Sequence, residues 1–148
     1  MSTRQQLPLS ATHLVRDNCL CLHVQRAARG LARRFDDVFR PLELTHGQFS
    51  LLMSLNRPEP PTIGSVAALL AMDRTTLTAV LKPLERRRLV KVSIDKEDKR
   101  SRRLTITASG RSLLAKAFPL WRETHAAIEQ SLAAFHPDDL RAAMLALS

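Results

Sequence analysis

Residues 73–90 read DRTTLTAVLKPLERRRLV, and this stretch decides the fold. Asp73 is a good N-cap, and the apolar residues after it recur at steps of three and four, as on a helix with one buried face. These residues are Leu77, Val80, Leu81 and Leu84. The opposite face carries polar side chains: Arg74, Thr75, Thr76, Thr78, Lys82 and Arg86. The stretch therefore predicts a helix that presents threonines and cations to solvent.

The segments on either side complete a recognisable unit. Upstream, Thr62 can cap a short helix that ends at the turn Met72-Asp73, so two short helices joined by a tight turn form a helix-turn-helix. Downstream, residues 90–94 and 103–106 alternate and are rich in β-branched side chains, with the charged sequence DKEDKR between them. They predict a two-stranded hairpin with a basic tip. A helix-turn-helix followed by such a hairpin is a winged helix.

Helices are predicted on both sides of this winged helix. Residues 20–39 carry one apolar stripe and stop at Pro41, and Thr45 and Gln48 have capping-box spacing before a largely apolar helix. A long helix follows Thr107, and a last one begins near Pro137. The predicted fold class is mainly α with a small β-hairpin wing, in a single domain over residues 1–148 whose winged-helix lobe occupies about 45–110.

The charge is concentrated in one part of the chain. The protein has 148 residues and a formal net charge of +9. Residues 74–111 hold twelve basic and four acidic groups, a net charge of +8. A positive field of this density is typical of a surface that binds polyanions, because neutralised phosphates release counterions. The alternative is a solvated basic face that only keeps the protein soluble.

The sequence also bears on compartment. The longest apolar run, residues 66–72, is far shorter than the roughly 20 residues of a membrane span, and the start MSTRQQLPLS has no apolar core of a signal peptide. Cys19 and Cys21 have one residue between them, too few for a disulfide framework or a Cys-x-x-Cys site. We therefore expect a cytoplasmic protein that does not enter membranes.

From about residue 18 to its end, the chain resembles the MarR family of bacterial transcription regulators. The motifs that carry the resemblance are residues 73–90 and the pattern D-x-R-S…L-T-x-x-G over residues 98–110. The resemblance implies a homodimer held by helices near both termini, here about 14–40 and 108–148. It also implies that the helix from Asp73 enters the major groove of double-stranded DNA and that Arg100 reaches the minor groove. Arg88 stands where the family commonly has glycine.

The predicted DNA-binding residues combine this resemblance with the chemistry of the side chains. Threonines and cations at the start of a recognition helix bind phosphates or base edges, and a narrow minor groove attracts arginine. The predicted set is Arg74, Thr75, Thr76, Thr78, Lys82, Arg86, Lys99, Arg100 and Arg102. Asp98 is expected to be the partner of a wing arginine, because phosphates would repel it.

Sites for catalysis or metal binding are not evident. The four glycines form no phosphate-binding motif, and the five histidines show no paired spacing of metal ligands. Adjacent carboxylates such as Asp36 and Asp37 point to different faces of a helix. We therefore expect no enzyme activity, no cofactor and no metal.

Two sensing modes remain open. In the organic-hydroperoxide branch of the family, a reactive cysteine lies near the start of the first helix, where Cys21 aligns. The tyrosines that bond its thiolate there are absent, and His46 and Phe49 take their positions. The other mode is a small aromatic or phenolic ligand between the dimerisation helices and the DNA-binding lobe. The residues predicted to meet there are Arg29, His46, Phe49, Trp121 and His125. For each of these residues, including Cys21, the alternative is a purely structural role.

The function predicted from the sequence is that of a homodimeric repressor released from a palindromic operator by a small ligand. Cysteine-based hydroperoxide sensing is the first alternative. An architectural nucleic-acid binder without sequence preference would use the same basic face, and a small enzyme is disfavoured because no catalytic constellation is present. A specific regulator should prefer one palindrome over random DNA by a factor on the order of 10³.

Overall fold

The computed structural model describes residues 6–148. The helices are α1 (Leu9–Asn18), α2 (Leu20–Phe39), α3 (His46–Ser54), α4 (Ile63–Leu69), α5 (Arg74–Arg86), α6 (Ala108–Ser131) and α7 (Pro137–Ala146), with a short 3-10 helix at Arg40–Leu42. The strands are β1 (Val90–Ile94) and β2 (Arg102–Ile106), which pair antiparallel. The predicted fold class, helical with a hairpin wing, is confirmed.

The predicted helix starts form as hydrogen-bonded caps. The Thr45 hydroxyl accepts the Gln48 backbone N–H, and the Gln48 side chain accepts the Thr45 N–H, which completes the capping box of α3. Similar side-chain acceptors begin three of the other predicted helices. They are Thr62 for α4, Asp73 for α5 and Thr107 for α6. Each cap satisfies a backbone donor that the first helical turn leaves unpaired.

The chain divides into two compact units, one up to Arg34 and one from Phe35 to Ser148. In the first unit, α1 is a helix that the sequence analysis does not anticipate, because it buries no residue and has no side-chain cap. Asn18 donates to the Leu14 carbonyl at 2.9 Å, and Cys19 is extended, so α1 ends and α2 begins.

The core of the second unit lies between the end of α2, helices α3 to α6 and the hairpin. Its fully buried side chains include Phe39, Leu51, Leu52, Leu55, Val66, Leu77, Leu84 and Leu104. The rings of Phe39 and Phe49 stack with centroids 4.7 Å apart and connect α2 to α3. This core fixes α4 and α5 as a rigid helix-turn-helix.

The hairpin is attached to the helices at its base. Val90 pairs with Ile106, and Ile94 pairs with Arg102, so β2 begins one residue earlier than predicted. The loop before α4 adds to the sheet edge, because the Leu104 N–H donates to the Pro61 carbonyl at 2.9 Å. The wing is therefore held by the body of the unit as well as by its own ladder.

Arg88 connects α5 to β1 in a left-handed backbone conformation, with φ of 59°. This is the position where the resemblance implies glycine, the residue that adopts such a conformation most easily. An L-residue there costs roughly 1–2 kcal/mol. The turn still closes, because the Leu89 N–H donates to the Leu84 carbonyl at 2.9 Å.

Candidate nucleic-acid interface

The nine predicted DNA-binding residues are all exposed, on α5 and on the wing. At the start of α5, the Asp73 carboxylate accepts the Thr76 N–H at 2.7 Å, which lowers the pKa of Asp73. The Thr78 hydroxyl donates to the Arg74 carbonyl at 2.7 Å. Its proton is therefore used within the helix, and the methyl group and the oxygen lone pairs remain available. The exposed face of α5 thus offers both apolar and polar contacts to a ligand.

The tip of the wing is a closed turn. The Asp95 N–H donates to the Ser101 carbonyl at 3.1 Å, and the Arg100 N–H donates to the Asp98 carboxylate at 3.0 Å. The Arg102 guanidinium folds back onto the carbonyls of Lys99 and Ser101. Arg102 therefore stabilises the turn. Within residues 6–148, the Arg100 side chain makes no hydrogen bond or ion pair and is free to bind a ligand.

Asp95, rather than Asp98, is the side-chain partner of a wing arginine. Arg103 Nε lies 2.6 Å from Asp95 Oδ1, and Arg103 Nη1 donates to the Pro60 carbonyl at 2.6 Å. Asp98 has a structural role, as expected, but it accepts the Arg100 backbone N–H inside the tight turn rather than an arginine side chain, whereas Asp95 begins that turn and faces β2. The Arg103 hydrogen bond lowers the pKa of Asp95. Through these contacts, Arg103 of β2 connects the residue that follows β1 to the loop before α4.

We expect Asp95→Asn to lower the melting temperature at pH 7, because it removes the charge that pairs with Arg103. Since the pKa of Asp95 is lowered on folding, its contribution is complete above the unfolded value of about 3.9 and is lost as pH falls through the folded value. The difference between wild type and variant should therefore shrink below about pH 4. Thermal unfolding over a pH series measures it.

The control for this experiment is Asp139→Asn on α7, which removes an exposed carboxylate that makes no hydrogen bond within the described residues. It should leave the melting temperature nearly unchanged at pH 7. An Asp95→Asn variant as stable as wild type at pH 7, or a deficit that does not shrink as pH falls below about 4, would show that the ion pair does not hold the wing.

Arg87 is a further arginine of the basic stretch whose side chain forms hydrogen bonds within the protein. Its guanidinium donates to the Glu43 carbonyl at 2.6 Å and the Leu42 carbonyl at 3.3 Å. It therefore connects the end of α5 to the loop before α3. Sequence spacing does not reveal such a role, because the two segments are more than 40 residues apart.

An apolar cavity of about 430 Å³ lies between α3, α4 and α6. It is lined by Phe49, Ser50, Met53, Ser54, Leu69, Leu70, Phe118 and Trp121. Phe49 and Trp121 were predicted for an effector pocket, and their ring centroids are 6.4 Å apart. His125 stacks on Trp121 at 4.8 Å. The sequence analysis missed Met53, Leu69 and Phe118, whose large exposed fractions mark them as an incompletely covered apolar surface.

The two remaining pocket candidates have other partners. His46 Nδ1 lies 2.9 Å from Asp36 Oδ1, and the His46 backbone N–H donates to the same oxygen. Burial opposes ionisation of Asp36, but these hydrogen bonds outweigh it and lower its pKa. Arg29, in the first unit, donates to the Gln25 side chain at 2.9 Å. The structure therefore brings Phe49, Trp121 and His125 together and engages His46 elsewhere.

Cys21 is the second residue of α2, as the predicted helix start requires, and it is exposed. The Gln25 amide donates to its sulfur at 3.2 Å. Cys19 is partly buried and accepts the Leu22 N–H at 3.5 Å. Of the two cysteines, Cys21 is the more exposed.

Comparison with known proteins agrees with this geometry. The MarR family model matches residues 44–101. The structure of the M. tuberculosis transcriptional regulator MosR in complex with DNA is 36% identical, with a TM-score of 0.80, and the match covers 88% of this chain and 93% of that one. The chain belongs to the MarR family.

Two further relatives of this MarR-family protein extend the comparison. The transcriptional repressor CouR, bound to a 23-mer DNA duplex, is 28% identical with a TM-score of 0.69, over 97% of this chain and 96% of that one. The organic hydroperoxide resistance transcriptional regulator of Bacillus subtilis is 29% identical over 105 residues, 71% of each chain. The protein is thus a DNA-binding transcription regulator with a winged helix, and its family and fold are not those of enzymes.

Among residues 6–148, no cluster of three or more His, Cys, Asp or Glu side chains is placed to hold a metal ion. Over the same range, no single helix has the length and apolarity to cross a membrane; α4 and α5 pass that test only as a pair, which is bent by 109°.

Proposed function

We propose that this MarR-family protein is a repressor that binds a palindromic operator as a homodimer. The observation that carries the proposal is the exposed, positively charged face formed by α5 and the wing. Threonines at the start of α5 would read base edges in the major groove, with Arg74 and Lys82 on guanine or phosphate. Arg100 would enter the adjacent minor groove, and Arg86 and Lys99 would contact phosphates.

Dimerisation is supported by the apolar side chains that one protomer leaves exposed on the helices near its termini. They include Leu14, Val15, Leu20, Leu31, Leu140, Met144 and Leu147. Apolar surface of this extent on a soluble monomer favours aggregation, whereas a second copy would cover it. A dimer also supplies two recognition helices for two half-sites about one helical turn apart. Sedimentation of a stable monomer at micromolar concentration would contradict this.

The experiment that tests the proposed function compares an inverted repeat from the DNA flanking the gene with random duplex DNA of equal length. Affinities are measured at one salt concentration, because phosphate contacts make them depend on salt. A specific regulator should prefer the inverted repeat by a factor on the order of 10³ or more. Equal affinity for both duplexes would favour an architectural nucleic-acid binder.

Release by a small aromatic or phenolic ligand is supported by the cavity between α3, α4 and α6. Its apolar walls and stacked rings suit a planar ligand, and its position against the helix-turn-helix would let ligand binding change the spacing of the two recognition helices. Trp121 is the only tryptophan, so its fluorescence reports on occupancy of the cavity. A ligand that releases the operator without changing this fluorescence would act elsewhere.

A second candidate for the signal is an organic hydroperoxide, because Cys21 is exposed at a helix start that favours the thiolate. The similarity to the Bacillus subtilis regulator favours it, while the absence of any tyrosine removes the donors that the sensing branch uses. We therefore place it second to a ligand.

We expect Cys21→Ser to leave operator binding, and its release by ligand, nearly intact. The side chain is exposed, so exchanging sulfur for oxygen buries no new polar group. Operator binding before and after addition of stoichiometric organic hydroperoxide is the measurement, with Cys19→Ser as the matched control. If hydroperoxide releases the wild type and Cys19→Ser while Cys21→Ser folds and stays bound, hydroperoxide sensing is correct and the ligand is not the signal.

A further inference from the structure

A second concentration of positive charge lies outside the winged helix. Residues 1–34 contain six arginines and a single acidic residue, Asp17, a net charge of +5. The total of +9 conceals this block, because residues 35–73 and 112–148 together are net acidic. Asp17 is already paired with Arg16 at 2.6 Å. The arginines of α2 therefore have no acidic partner within the first unit.

Three of these arginines form a line along α2. Arg26, Arg29 and Arg33 are three and four residues apart, which places them on one helix face, and all three are exposed. We call them the α2 arginine stripe. At about 1.5 Å per residue, the stripe is about 10 Å long, close to the axial rise of three phosphate-to-phosphate steps along one DNA strand.

The stripe lies opposite the apolar face of α2. Val24 is two residues before Arg26, and Leu31 is two residues before Arg33, so each apolar side chain points about 200° away from its arginine. Burial of the apolar face in a dimer would therefore leave the stripe in solvent. Within the described residues, the one hydrogen bond of the stripe joins Arg29 to the neutral Gln25 side chain.

We infer that the α2 arginine stripe is a second surface that binds the phosphates of double-stranded DNA, independently of the winged helix and without sequence preference. Arginine suits this role because its planar fork binds phosphate through two parallel hydrogen bonds. Interfaces with protein partners are built around apolar or aromatic anchors. Gln25 and Gly30, which lie beside the stripe, offer no such anchor, and Leu22, four residues before Arg26 on the same face, is already partly buried.

The test uses a random-sequence duplex several times longer than an operator, so that every mode of DNA binding is counted. Affinity is measured over a salt series for the wild type and for Arg29→Gln/Arg33→Gln. Each lost phosphate contact lowers the salt slope by about 0.9, so the double variant should lose about 1.8 for each protomer whose stripe contacts the duplex. In an Arg74→Ala/Lys82→Ala/Arg100→Ala background, which weakens the winged helix, the same double substitution should abolish most of the residual binding.

Two controls separate contact from overall charge. Lys116→Gln/Arg122→Gln removes the same charge from exposed positions on α6 and should leave the salt slope nearly unchanged. Arg29→Lys/Arg33→Lys keeps the charge and should retain most of the slope. Helicity and sedimentation should match the wild type in every variant. If the double variant does not fold, Arg33→Gln alone replaces it, with an expected loss in salt slope of about 0.9 for each contacting protomer.

The proposal is overturned if the stripe variant binds random DNA with the same salt slope as the α6 control, a result that would leave the stripe to an acidic protein partner. It is also overturned if Arg29→Gln/Arg33→Gln does not reduce the residual DNA binding of the variant with the weakened winged helix. Failure of the wild type to prefer an operator would instead contradict the proposed repressor function, and the stripe would still be tested because random DNA is used.

Discussion

Gly110→Ala is expected to lower the free energy of unfolding of the second unit by roughly 1–3 kcal/mol or more, because it overpacks a well-filled site. A Cβ at this position would lie 2.3 Å from the Leu89 carbonyl oxygen and 2.8 Å from Ile106 Cγ1. The carbonyl is fixed, because it accepts both the N–H and the hydroxyl of Thr107. The first turn of α6 would therefore have to move away from the hairpin, with loss of the Thr107 cap.

Thermal or denaturant unfolding of the full-length protein measures this effect. The matched control is Gly64→Ala in α4, where a Cβ would have nothing within 4 Å. It should raise the stability slightly, by roughly 0.4–1 kcal/mol, because alanine fits this helical position and both substitutions restrict the unfolded chain in the same way. A Gly110→Ala protein as stable as Gly64→Ala would mean that the junction between β1 and α6 is not close-packed.

Much of the fold could be predicted from the sequence, because its signals are local. The caps at Thr45, Thr62, Asp73 and Thr107 each depend on a side chain and a backbone donor three residues apart. The apolar face of α5 likewise follows from spacing alone. In these segments, local propensity and tertiary packing favour the same structure.

Contacts between distant segments could not be predicted in this way. Arg103 binds the Pro60 carbonyl, and Arg87 binds the Glu43 carbonyl, each across more than 40 residues. From the sequence, these arginines are indistinguishable from the free Arg100. Met53, one of the missed residues that line the apolar cavity, shows the same limit, since a methionine on an apolar helix gives no sign of whether it is buried or lines a cavity.

The nine predicted DNA-binding residues differ in how free their side chains are to bind DNA. Exposure of all nine agrees with an interface, yet Arg102 is bound to the carbonyls of its own turn. Among residues 6–148, the side chain of Arg100, two residues earlier, has no hydrogen-bond partner, and its backbone N–H donates to Asp98. Because a free guanidinium needs no rearrangement to bind DNA, Arg100 should contribute more to affinity than Arg102.

Arg100→Ala is accordingly expected to weaken operator binding by about tenfold or more without unfolding the protein. A contact in the groove contributes roughly 1–3 kcal/mol, whereas a phosphate contact changes the salt slope by about one unit. Because narrow minor grooves attract arginine, the loss should be greatest on operators with A·T-rich sequence beside each half-site. Binding titrations over a salt series, on operators that differ only in this flanking sequence, separate the two kinds of contact.

Arg122→Ala is the matched control, since it removes one exposed arginine from α6 and leaves the wing unchanged. It should bind the operator nearly as the wild type does. A loss for Arg100→Ala that is equal on all flanking sequences and accompanied by a lower salt slope would assign Arg100 to phosphate rather than to the minor groove. Unchanged affinity across the whole salt series would exclude the wing from the interface and leave recognition to α5 alone.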